Sequence, residues 1–274
     1  MSDLSPALPP AHARLSFPIR LTELDRHHRL TIPALVVLIG EAADAGAATV
    51  GLGVHELLAQ DRAWVLRTLW LRLDPAHPSP AAGEELHIRT FPTTRTTPLR
   101  FCRDFLVRSR APEGEPLARC TTEWIYLDAT TRRPLRFRDR LGDLGPHQLD
   151  PVLDPEADDP PPLGEPDAPA PAEPARRVTV GHHDIDWNGH VNNAHYVRWA
   201  LDSAPATLWE THAPTEFRVR FDAEAVLGQE VLARTAVASP SGGGVLALRH
   251  HLSEAGSGRT LAVAASRWAL RPGP

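Results

Sequence analysis

The chain repeats itself, and a chain that carries one order of segments twice is constrained to fold as two copies of one unit. ELDRHHRLTI around Asp25 answers DIDWNGHVNN around Asp186, an offset of 161 residues, and Glu41-Ala42-Ala43 keeps that offset against Asp202-Ser203-Ala204. Further on, PTEFRVRFD answers WVLRTLWLRLD, and LGQEVLARTAV answers AGEELHIRTFP. LAVAASRWAL then answers LARCTTEWIYL, with Trp268 opposite Trp124. Four matches in one order point to an internal pseudo-dimer; a homodimer of the whole chain stays open.

Within one copy the hydrophobic pattern gives the elements. LSFPIRLTELD alternates Leu15, Phe17, Ile19 and Leu21, which predicts a strand. In TIPALVVLIGEAADAGAATVGLG, Thr31 is placed to cap a helix and Pro33 falls in its first turn, where a missing N–H costs little. Ala, Leu, Val and Ile cover nearly every face of that helix, so it should be surrounded by protein, and Gly51 and Gly53 end it. AWVLRTLWLRLD, ELHIRTF, RFCRDFLVRS and ARCTTEWIYLD follow as strands between Pro-, Gly- or Thr-rich turns, a spacing that suggests an antiparallel sheet. The expected class is α+β: about five antiparallel strands around one apolar helix, made twice.

The expected organisation is a disordered N-terminus at 1–14, a first domain at 15–145, a linker at 146–175 rich in Pro, Asp, Glu and Ala, and a second domain at 176–274. A formal net charge of −5 gives no reason to expect nucleic-acid binding. There is no lysine, which removes Schiff-base and lysine-nucleophile chemistry. Cys102 and Cys120 are too few for a disulfide framework or a Cys-rich zinc site, and a reducing compartment is the simpler reading. The N-terminus has no apolar core of a signal peptide, and Ile32 to Leu58 is too interrupted by Glu41, Asp44 and glycines to span a membrane. A soluble, cytoplasmic protein is expected.

The two copies differ where chemistry would sit. Before its helix the first has Asp25, Arg26, His27, His28 and Arg29; the second has Asp186, Trp187, Asn188, Gly189 and His190. Aspartate is shared, but Asn and His are not, so a site belongs to the second copy and the first is free to hold substrate. Around that turn, His182, His183 and His195 read as surface or hydrogen-bonding histidines, Asp184 as a turn cap, and Asn192 and Asn193 as helix caps. Tyr196 and Trp199 read as core or pocket wall rather than reacting groups.

DIDWNGHVNNAHYVRWALDSAP closely resembles the D-x-D-x-N-x-H-V-N-N-x-x-Y-x-x-W segment of the acyl-[acyl-carrier-protein] thioesterases of plants and bacteria. The likeness continues through Glu210-Thr211-His212 to Glu224, and ELDRHHRLTIPALVVLIGEAA, AWVLRTLWLRL and EWIYLDATTRRPLRF also resemble that family. The resemblance implies two tandem hotdog domains, and hydrolysis of a fatty acyl thioester on acyl carrier protein, without metal or other cofactor. It places the family's functional residues on Asp186, Asn188, His190 and Glu224.

In that setting Asn188 would position the carbonyl or the attacking water, and His190 and Glu224 would activate the water, or Glu224 would attack the carbonyl directly through an anhydride. Asp186 would orient its neighbours and hold the turn, while N–H groups at the start of the helix after Val191 would polarise the carbonyl, with Val191 and Asn192 among the substrate-binding residues. Trp199, Leu35, Ile39 and Trp64 are candidates for the acyl pocket, with ordinary core the safer reading of any single one. Arg132 and Arg133 open a basic run that is either a solvated face or a docking surface for the acidic carrier protein. A cysteine sometimes given a catalytic role in the family is here Ala225, so a Cys–His thiolate mechanism is not expected. The competing readings are a hotdog acyl-CoA thioesterase, a metal-dependent hydrolase using the His and Asp of HHDIDWNGH, and a non-catalytic acyl-binding protein.

Overall fold

The computed structural model describes residues 8–137, 144–163, 175–187, 189–241 and 245–271. Ten strands are found among them: β1 (Ala13–Pro18), β2 (Arg62–Leu73), β3 (Glu85–Pro92), β4 (Phe101–Ser109), β5 (Ala118–Asp128), β6 (Arg176–Thr179), β7 (His212–Phe221), β8 (Glu230–Ser241), β9 (Val245–Glu254) and β10 (Thr260–Leu270). Four α-helices accompany them: α1 (Ile32–Ala48), α2 (Val54–Leu58), α3 (Asn193–Asp202) and α4 (Ala206–Thr211).

The chain gathers into two compact units, neither continuous in sequence. The first takes Met1–Thr22, Leu38–Leu66 and Pro80–Asp154; the second takes Glu23–Val37, Arg67–Ser79 and Pro155–Pro274.

In the first unit β1, β3, β4 and β5 lie side by side, each antiparallel to its neighbour. Alternation puts Phe101, Arg103, Phe105 and Val107 of β4 on one face, all buried. Arg103 donates from Nη1 to Ala11 O at 2.9 Å and to Thr90 Oγ1 at 3.1 Å. Gly46 of α1 makes this possible, because a Cβ there would stand 2.4 Å from Arg103 Nη1.

In the second unit the order is β2-β7-β10-β9-β8-β6, again antiparallel, with residues Thr68–Arg72 of β2 paired to β7. Helix α3 packs on β8 and β9, and just beyond its end Ser203 Oγ lies 2.6 Å from Thr235 Oγ1.

The repeat read in the sequence reappears as hydrogen bonding at matching registers. Thr90 pairs with Phe105 and Phe105 with Cys120; Thr235 pairs with His250 and His250 with Ala264. Two residues on, Trp124 Nε1 donates to Thr122 Oγ1 at 2.8 Å, and Trp268 Nε1 donates to Ser266 Oγ at 2.7 Å. Where the first unit has Phe105 at the centre, the second has the buried His250, held between Thr235 Oγ1 and Ser266 Oγ at 2.8 Å each. Burial drives its pKa down to about 3, so it stays neutral.

Three local features differ from the sequence pattern. The first strand stops at Pro18, and Leu21 sits 79% exposed in a one-turn 3-10 helix rather than on the strand's apolar face. VLALRHHLSE forms β9, whose two histidines hide its alternation. The Pro-rich stretch, so far as it is described, is tied to strands. Leu149 bridges Thr93, and the Val152 N–H donates to Asp104 Oδ2 at 2.7 Å in the first unit. In the second unit Asp158 pairs with Arg72 and Asp159 with Arg267. No described helix is long and apolar enough to cross a membrane.

Candidate active site

The turn before α3 is a small hydrogen-bonded frame. Ile185 and Val191 form an antiparallel bridge, the Asp186 N–H donates to His190 O at 2.8 Å, and the Gly189 N–H donates to Asp186 O at 3.0 Å. The Asn192 N–H then donates to Asp184 O at 2.9 Å. Gly189 takes φ +80°, a left-handed conformation that an L side chain adopts only with strain.

Before α1 the same frame recurs at the same offset. Leu24 bridges Leu30, the Asp25 N–H donates to Arg29 O, the His28 N–H to Asp25 O, and the Thr31 N–H to Glu23 O. His28 stands where Gly189 does, at φ +58°. Asp25 Oδ1 also accepts the N–H groups of His27 and Arg29, at 2.8 and 2.9 Å. This is how an aspartate at the head of such a turn fixes it.

With the frame common to both copies, the side chains decide. In the second, His190 Nε2 lies 3.1 Å from Glu224 Oε2, both about one-third exposed. Glu224 comes from the loop after β7, and its peptide is held on three sides. The Val191 N–H donates to Ala225 O at 3.1 Å, Tyr196 Oη accepts the Ala225 N–H at 2.7 Å, and Arg259 Nη2 donates to Glu224 O at 3.2 Å. In the first, Arg26 and Arg29 occupy the turn, with Arg26 ion-paired to Glu210.

The start of α3 supplies donors. Asn192 is the N-cap, and its Oδ1 accepts the Ala194 N–H at 2.9 Å. Since the N–H groups of Val191 and Asn192 are both engaged, neither is free for a carbonyl. The Asn193 N–H has no partner among the described residues, and it points from the positive end of the helix. Alongside, Asp184 Oδ2 accepts the Gly181 N–H, and its Oδ1 meets His195 Nδ1 at 3.2 Å and Arg198 Nη2 at 3.1 Å. Burial, then the Arg198 guanidinium, hold His195 below the ordinary histidine value.

Asp186, His190, Val191, Asn192, Trp199 and Glu224 therefore belong to one unit, as does Leu35. Asn188 lies outside the described residues. Trp199 is buried against the rings of His195 and Tyr196, with no hydrogen-bond partner for its Nε1 among the described residues. Ile39, Trp64, Arg132 and Arg133 belong to the first unit. There Ile39 is buried, and Trp64 joins Phe101, Tyr126 and Phe137 in an aromatic cluster while donating Nε1 to Leu52 O. Arg132 and Arg133 are exposed. The sequence reading takes Tyr196 as core or pocket wall and passes over Arg259, both of which bond the Glu224–Ala225 peptide. A tyrosine on an apolar helix face looks like core, and nothing in the sequence brings Arg259 to Glu224. Among the described residues no group of three or more His, Cys, Asp or Glu could hold a metal ion.

Comparison with known proteins gives concordant matches. The family model for the acyl-ACP thioesterase N-terminal domain matches residues 11–143, and that for the C-terminal domain matches residues 170–270. A chloroplastic dodecanoyl-[acyl-carrier-protein] hydrolase from Cinnamomum camphora is 27% identical over 257 residues, 90% of this chain; the chain spans 65% of that relative's length. The structure of the 12:0-ACP thioesterase from Umbellularia californica superposes with a TM-score of 0.81 at 25% identity, over 95% of this chain and 94% of that one. The fold is shared too with an acyl-ACP thioesterase from Bacteroides thetaiotaomicron, at a TM-score of 0.76 and 21% identity over 94% and 98% of the two chains.

Proposed function

Because this chain belongs to the acyl-ACP thioesterase family and has that family's double hotdog fold, we propose that it hydrolyses the thioester of a fatty acyl group on acyl carrier protein, releasing a free fatty acid. The observation that carries this is the His190–Glu224 contact of 3.1 Å, held next to a helix start whose Asn193 N–H has no partner among the described residues.

In the reaction the thioester oxygen sits at the Asn193 N–H, where the end of α3 stabilises the negative charge that develops on it. Glu224, paired with His190, takes a proton from the attacking water as its oxygen bonds to the carbonyl carbon. The tetrahedral intermediate then collapses, the C–S bond breaks, and the pair returns the proton to the departing phosphopantetheine thiolate. Asp186 keeps the turn in shape, as Asp25 does in the first copy. Asn188 orients the carbonyl or the water. Arg26 and Arg29 in place of the second copy's side chains leave the first copy without this chemistry. The N-terminal half instead serves acyl binding, through the apolar side chains of Leu35, Ile39 and Trp64, and carrier docking through Arg132 and Arg133.

The setting is fatty acid biosynthesis in the cytoplasm, a compartment suited to the two free, buried cysteines. The test is turnover on matched acyl groups carried by acyl carrier protein and by CoA, with Glu224→Gln as control. Preference for the carrier-bound substrate, abolished by Glu224→Gln, supports the proposal. Preference for CoA replaces it with an acyl-CoA thioesterase, and no hydrolysis of either leaves an acyl-binding protein.

A further inference from the structure

The hydroxyl of Tyr196 reaches from the buried face of α3 to the loop bearing Glu224. It accepts the N–H of Ala225, the residue directly after the carboxylate, at 2.7 Å. The side chain is 3% exposed, and its ring packs on Trp199 and Phe221. Burial raises its pKa to about 12, so the phenol keeps its proton and remains a neutral acceptor between the charges of Glu224 and Arg259.

The repeat supplies an internal control. At the offset that relates Asp25 to Asp186, the residue matching Tyr196 is Leu35, which is fully buried in α1. The fold accepts an aliphatic side chain at this helix position, so packing alone does not call for a tyrosine. The hydroxyl occurs only in the copy that has the His190–Glu224 pair. The Val191 N–H engages the carbonyl of the same Ala225. Both ends of residue 225 are thus pinned to the turn-and-helix segment that carries His190 and the Asn193 N–H.

We propose that Tyr196 is a positioning residue: through the Ala225 N–H it holds Glu224 at hydrogen-bond distance from His190 and in register with the start of α3. The inference rests on the reading of His190 and Glu224 as the acid–base pair. Without the hydroxyl the Ala225 N–H loses its acceptor inside the protein, and the loop shifts to find another. Glu224 then swings off His190 while the substrate-binding surfaces stay in place. The loss falls on kcat rather than on KM.

The experiment measures kcat, KM and the pH–rate profile of acyl-carrier-protein hydrolysis for the full chain and for Tyr196→Phe, Tyr196→Leu and Glu224→Gln, with thermal melts of each. Tyr196→Phe keeps the ring, and Tyr196→Leu is the solution that the chain itself uses at Leu35. The expected result for both is a kcat lower by about ten- to hundredfold, part of the range contributed by a placed proton-transfer group, with KM within about twofold and an altered pH–rate profile. If either folded variant keeps wild-type kcat and profile while Glu224→Gln is inactive, the positioning role is overturned. It is also overturned if the loss lies in KM, or follows the melting temperature with the profile unchanged. If Glu224→Gln itself turns over at the wild-type rate, the site reading fails instead.

Discussion

His28 and Gly189 hold the same left-handed position in two copies of one turn, at φ +58° and +80°. Each donates its N–H to the aspartate three residues earlier. An L side chain in that conformation carries strain, which the first copy tolerates and the second avoids. A Cβ at Gly189 would meet nothing within 4 Å, so the strain of a substitution there is purely conformational. Gly189→Ala is expected to lower stability by about 1–2 kcal/mol. Gly189→Asn should lose less, because Asn tolerates the left-handed region. Chemical denaturation of the three proteins checks this, and an Ala variant as stable as the parent would refute it.

The His190–Glu224 contact predicts paired losses. His190→Ala and Glu224→Gln should each reduce kcat by about 10²–10⁴-fold with the fold intact, and the double variant should be little worse than either single one. Strictly additive losses in a double-mutant cycle would mean that the two side chains act separately.

His250 ties stability to pH. Its folded-state pKa of about 3 lies below the ordinary value of 6.5, so the unfolded chain binds the proton more readily. Its contribution is complete above pH 6.5 and is lost as the pH falls from there toward 3, amounting to a few kcal/mol at most. His250→Phe, the residue type found at the matching position Phe105, should flatten the fall in melting temperature over that window, even if it lowers stability at neutral pH. An unchanged slope would locate the acid sensitivity elsewhere.

If the exposed Arg132 and Arg133 receive the carrier, reversing both to glutamate should raise KM for acyl-carrier-protein by about three- to tenfold and leave a small soluble thioester unaffected. The difference should shrink in high salt, where exposed charges are screened. Equal effects on both substrates would remove the docking role.

Much of this architecture could be read from the chain because its strand segments are apolar-rich runs between turns and recur in one order. Arg62–Leu73 and Phe101–Ser109 stand out in this way although their burial does not alternate, and Trp124 and Trp268 mark one register in both halves. What escaped was whatever depends on through-space partners. The histidines of β9 looked polar, yet His250 is buried because Thr235 and Ser266 meet both of its ring nitrogens. The Pro-rich stretch looked unable to fill a core, yet Leu153 is buried. At the candidate site the motif names Asp186, His190 and Glu224, and the last two lie 3.1 Å apart. Which N–H groups of the helix start are engaged is not legible there: those of Val191 and Asn192 bond Ala225 O and Asp184 O. No periodicity reveals such a choice.

The twin turns separate shape from chemistry. The frame is drawn by main-chain bonds with one aspartate at its head, and it survives whether the next four residues read Arg-His-His-Arg or Trp-Asn-Gly-His. One frame can therefore carry different side chains without unravelling, and the first copy stands as a ready-made mount. Transplanting four residues onto it, with a glutamate on the facing loop, is a smaller engineering step than building a second site from nothing.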